Sequence, residues 1–124
     1  MKIKVSEATP NQLDWMVAKC LQVAAPKNNP LYWKAVFSHW GDYRGSTRFS
    51  TEWAQGGPIV EREGLTVSEE NQNPVLWSSY LRQNLFKDDG SEHWQTGPTP
   101  LIAAMRCYVA SKLGDEVEIP EDLK

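Results

Sequence analysis

The sequence predicts an α+β fold: a single small domain over residues 1–124, with two main helices packed on a small, mostly antiparallel sheet. Three observations carry this. Two segments place apolar residues at helical spacing, and each opens on Thr-Pro. The two ends of the chain alternate polar and apolar residues, as half-buried edge strands do. Leu, Ile, Val and Phe fill only 26 of 124 positions, so the six tryptophans must supply much of the core.

Taken in order, Lys2-Ile3-Lys4-Val5 reads as an edge strand with its lysines outward. Thr9, Pro10 and Gln12 then form an N-cap, a first helical position and a capping box. Leu13, Met16, Val17, Cys20 and Leu21 make one apolar stripe, which Pro26 and Pro30 stop. One or two strands are expected within 32–49, with turns at Gly41 and Gly45. Residues 50–55 read as a short helical turn stopped by Gly56-Gly57, with Pro58 starting a new turn. Leu65 to Ser68 is a strand, Val75 to Phe86 is ambiguous between strand and helix, and 87–93 is a polar loop. The second main helix is capped by Thr99, begins at Pro100 and ends at Gly114 in a left-handed stop. Leu101, Ala104, Met105, Tyr108, Val109 and Lys112 share one side of it. Glu116 to Ile119 is a second edge strand, a candidate neighbour of the first.

Composition excludes several functions. Acids outnumber Lys and Arg by 16 to 13, which argues against general binding to DNA or RNA. No apolar run approaches the ~20 residues of a membrane span, and the first residues lack the apolar stretch of a signal peptide. A cytoplasmic protein is therefore expected, with Cys20 and Cys107 reduced and packed in the core. Two histidines and no Cys-x-x-Cys lead us to expect no metal site and no cofactor.

Three constellations bear on function. From Tyr32 to Trp53 runs an island holding seven of the 13 aromatics, with Lys34, Arg44 and Arg48 against Asp42 and Glu52. Aromatic faces stack on bases and arginines fork onto phosphate, so the island suits a nucleotide-like ligand; it also reads as a hairpin core. The second is Trp53 to Arg62, in which Gly56 and Gly57 would expose backbone amides and Arg62 would add charge. It lacks the ending of a Walker loop. The third runs from His93 to Pro100, placing Trp94, Thr96 and Thr99 at a helix N-terminus, where partial positive charge favours anions. Arg106, between Ile102 and Val109, should be half-buried and in need of an acidic partner, either Glu61, Asp14 or a ligand.

The second and third of these also carry a family resemblance. Trp53 to Glu63 resembles the central motif of the NinX-like family of lambdoid phage proteins. Gly97 to Val109, with Leu113 to Val117 and Pro120, resembles its C-terminal signature, and the helix at Leu13-Asp14-Trp15 fits too. The stretch from Asn71 to Glu92 departs from the pattern. The resemblance implies an accessory phage protein in the cytoplasm of the infected bacterial host. Such small proteins bind host enzymes, or capture or destroy signals of antiphage defence.

The leading expectation is a binder of a small anionic, nucleotide-like ligand that it does not turn over, possessing Trp53, Gly56, Gly57, Arg62, Trp94, Thr96, Thr99 and Arg106 as its site. Capture of a host defence signal is its expected use. The alternatives are a protein–protein module acting on a host enzyme, and a nucleotide-processing enzyme using His39 or His93 as base; no residue is assigned a catalytic role. A thin core also leads us to expect a homodimer or higher homo-oligomer.

Overall fold

In the computed structural model the described residues are 1–24, 30–38, 47–81, 94–121 and 123. Strand β1 (Lys2–Lys4) keeps both lysines exposed and runs into a single 3-10 turn at Val5–Glu7. Helix α1 (Pro10–Ala24) begins as the capping box requires: the Thr9 N–H donates to Gln12 Oε1 at 3.0 Å, and the Gln12 N–H donates to Thr9 Oγ1 at 3.4 Å. Leu13, Met16, Val17 and Cys20 of its stripe are buried.

Residues 30–38 are helix α2 (Pro30–Ser38), not the strand expected there. Pro30 occupies the first helical position. Phe37 packs edge-on against Trp15 of α1, with ring centroids 5.6 Å apart, and the Lys19 ammonium lies 4.6 Å from the Phe37 ring. Packing on α1 thus overrides the strand preference of an aromatic-rich segment. Gly41 and Gly45 lie outside the described residues.

The Gly56-Gly57-Pro58 segment is also helical. Helix α3 (Trp53–Glu63) runs straight through it, and Gly64, at φ 68°, is the actual stop. Gly56 is there because space is absent: a Cβ would lie 2.3 Å from the Phe49 carbonyl oxygen and 2.6 Å from Leu101 Cδ1. Gly57 has no such constraint, its nearest neighbour being the Trp53 ring at 3.8 Å.

Strands β2 (Leu65–Gln72), β3 (Val75–Leu81) and β4 (Gln95–Gly97) form an antiparallel sheet in that order. Leu65 pairs with Leu81 and Gln72 with Val75, with a bulge between Glu69 and Asn71. The bulge and its acids sit on the outer strand, where they oppose pairing with another chain. Val75 to Leu81 of the ambiguous segment is strand, while its remainder at 82–86 and the expected loop at 87–93 lie outside the described residues. β4 falls within the His93 to Pro100 stretch, for which no strand was expected. Gly97 lets it approach the last helix, since a Cβ there would lie 2.9 Å from Ala103 N.

That helix, α4 (Pro100–Leu113), has the expected cap: the Ile102 N–H donates to Thr99 Oγ1 at 3.1 Å. Gly114 has φ 92° but ψ −179°, so the stop uses a positive φ without the left-handed helical conformation expected. Nor is α4 one-sided. Leu101 to Met105 and Cys107 to Ala110 are all buried. It is packed by β2, β3 and β4 and by α1 and α3, which makes it the axis of the core. Strand β5 (Glu116–Glu118) pairs antiparallel with β1, as the alternation at both ends suggested, but in a separate two-stranded sheet.

Candidate functional site

Residues 47–52 form a tight turn that gathers three helix starts. The Arg48 carbonyl accepts the N–H groups of Thr51 and Glu52 at 3.2 and 2.9 Å, and the Arg48 N–H donates to Gln55 Oε1 at 2.7 Å. The buried Ser50 anchors the turn to α1: its N–H and hydroxyl donate to Asp14 Oδ1 at 2.8 and 2.7 Å. Asp14 is itself only 6 % exposed. The starts of α1, α3 and α4, each with partial positive charge, therefore meet around Thr51.

Two clefts open there. One, of about 210 Å³, is lined by Thr51 and Trp53 at the start of α3 and by Thr99, Pro100, Leu101 and Ile102 at the start of α4. The other, of about 180 Å³, is lined by Pro10, Asn11 and Asp14 of α1 with Arg48 and Thr51. Of the eight residues expected to form the site, Trp53 and Thr99 meet in the first cleft. Trp53 is 54 % exposed there.

The other six are placed elsewhere. Gly56 is buried under Leu101, and its N–H is spent on Glu52 O at 2.9 Å, so the amides of this segment are helical rather than free for an anion. Gly57 lies one residue further along α3. Arg62 is about 14 Å along the axis from Trp53, at 1.5 Å per residue. It donates through Nε to Glu63 Oε2 at 3.0 Å, while Lys112 reaches Glu63 Oε1 at 3.3 Å. Burial opposes ionisation of Glu63, but these two hydrogen-bonded cations outweigh it and hold the carboxyl below its usual range. Trp94, 52 % exposed beside β4, lines neither cleft.

Thr96 and Arg106 belong to a structural staple. Arg106 is half-buried as expected, but its partners are not Glu61 or Asp14. Nη1 donates to the Thr96 carbonyl at 2.8 Å and Nη2 to the Ala8 carbonyl at 3.0 Å. Burial pulls its pKa below the usual guanidinium value.

From the first constellation Trp53 lines one cleft and Arg48 the other, while Ser50, Thr51 and Asn11 had no signal of their own. The available clue was Asp14, a lone acid beside the apolar stripe of α1.

Both thiols are packed away. Burial pushes Cys20 up to about 12 and Cys107 up to about 11, so neither is a nucleophile at neutral pH. Ellman's reagent should leave both untouched in the native protein and modify both in guanidinium; rapid native labelling would contradict their placement. His39 and His93 lie outside the described residues. Among the described residues no group of three or more His, Cys, Asp or Glu could hold a metal, and no helix is long and apolar enough to cross a membrane.

No curated protein matches this chain. A family model, Bacteriophage P22, NinX, matches residues 4–112, which includes every residue lining the two clefts. The chain therefore belongs to the bacteriophage P22 NinX family.

Proposed function

We propose that this phage protein acts in the cytoplasm of the infected host by binding a small anionic, nucleotide-like ligand that it does not turn over. The observation that carries the reading is the Trp53 indole, half-exposed in a cleft whose other side is the start of α4. An indole held at a cleft mouth is a platform for a planar ring, and three helix starts nearby favour negative charge. Capture of a nucleotide signal of host defence is the use we propose for such a site.

The test is native mass spectrometry of protein co-expressed with host nucleotide-signalling systems, followed by thermal shift on a nucleotide panel. A co-purified ligand released unchanged is the expected result. Trp53→Ala should weaken binding at least tenfold, because stacking on an aromatic side chain contributes about 1–3 kcal/mol per base. Its folding stability should move by no more than about 0.5 kcal/mol, as for other exposed positions. Absence of any ligand or shift would reject the reading, and release of a converted product would reject its non-catalytic part.

One observation favours a second reading. Trp94 is exposed outside the clefts, and Val75 and Leu76 are exposed at the far end of β3. A module that docks on a host enzyme would use such a surface. One stoichiometric host protein, recovered by the native chain and lost on Trp94→Ala, would establish it.

A further inference from the structure

The two clefts differ in chemistry and meet at one residue. The Trp53 cleft is walled by an indole, Pro100, Leu101 and Ile102. The other carries Arg48, Asn11 and Asp14. Thr51 lines both. Neither volume alone reaches the roughly 300 Å³ at which small-molecule sites begin, whereas the two taken together exceed it. Thr51 is the wall that they share, so a ligand of nucleotide size that used both would pass over it.

The charge is also better supplied on the Arg48 side. At the start of α4, Pro100 has no N–H, and those of Ile102 and Ala103 go to Thr99, so Leu101 is the remaining backbone donor. Arg48 is exposed and has no ion pair among the described residues. Its backbone is held on both sides by the turn, so the guanidinium is displayed from a fixed point. Asp14 is the opposing charge in that cleft. It is buried, and its Oδ1 is engaged by the Ser50 amide and hydroxyl.

We infer that the two clefts are one ligand groove with divided roles: a ring lobe at Trp53 and an anion lobe at Arg48, joined at Thr51. This rests on the proposed function and narrows it. The ligand class is a planar ring linked to an anionic group through a spacer one residue wide, as in a nucleoside monophosphate. A free base or a free phosphate fills one lobe only.

Nitrogen-15 NMR can read both lobes, through the Trp53 indole N–H and the Arg48 Nε–H. The probes are the four common nucleoside 5′-monophosphates, their nucleosides and inorganic phosphate. At least one monophosphate should shift both signals, its nucleoside only Trp53, and phosphate only Arg48. Arg48→Gln should weaken that monophosphate about tenfold or more and leave the nucleoside unchanged, since a charge-assisted hydrogen bond is lost. A monophosphate that binds and moves only one of the two signals would overturn the divided groove while leaving the ligand reading intact. No movement of either signal by any probe would also overturn it, and co-purification in the mass spectrometry experiment would then decide the broader reading separately.

Discussion

Gly56→Ala is expected to destabilise the protein by about 3 kcal/mol, the upper range for overpacking a close contact. The new Cβ would stand 2.3 Å from the Phe49 carbonyl oxygen and 2.6 Å from Leu101 Cδ1. The leucine tip can rotate away, but the backbone oxygen belongs to the turn that Arg48 and Ser50 hold in place. Alanine's helix-propensity advantage of about 1 kcal/mol works in the opposite direction and is outweighed. Gly57→Ala reverses the balance. Its Cβ meets only the Trp53 ring at an ordinary 3.8 Å, so the propensity gain should survive as about 0.5–1 kcal/mol of added stability. Urea unfolding of the two variants measures both effects. Similar shifts of the same sign would mean that α3 does not approach α4 as described, and that the two glycines serve as the helix stop the local sequence suggests.

The second large effect belongs to Arg106→Met. Methionine replaces the apolar stem of the side chain but leaves the carbonyls of Thr96 and Ala8 without their donor. The expected cost is about 2–4 kcal/mol, because hydrogen bonds from a charged group are lost at two partly buried acceptors. Arg106→Lys should cost less but remain harmful, since one ammonium lacks the fork that reaches β4 and the segment before α1 together. A methionine variant as stable as the parent, in urea and on heating, would show that this staple contributes nothing. Among the described residues the buried guanidinium Nε has no partner, so some of the gain from the two bonds is already offset in the parent protein.

The elements that could be read in advance are those whose signals are local. Thr9, Pro10 and Gln12 specify a helix start within four residues, and Thr99-Pro100 does the same for α4. The alternation at both ends specifies β1 and β5. The elements that were misread are decided at a distance. Aromatic residues in 30–38 favour a strand until α1 is placed beside them. Gly-Gly-Pro reads as a break until Leu101 is placed against Gly56. Burial around the whole of α4 follows from its being enclosed, which a stripe of apolar residues does not announce. The site divides in the same way. Trp53 and Thr99 were legible as an aromatic and a cap, but their sharing a cleft depends on α3 packing against α4, closest where Gly56 meets Leu101. Gly56 and Arg106 were read as ligand chemistry, and they turn out to serve close packing and backbone satisfaction.

The pairing of β1 with β5 joins residues 2–4 to residues 116–118, and the Val5 N–H donates to the Asp115 carbonyl at 2.8 Å. During translation the second of these segments leaves the ribosome only after everything between them has been made. Helices α1 and α3 can form as they emerge, but the opening strand has nothing to pair with until residue 118 is free of the exit tunnel. The pair therefore closes only after the segments between its two strands have been made, and the Val5 N–H has no Asp115 carbonyl to meet until then.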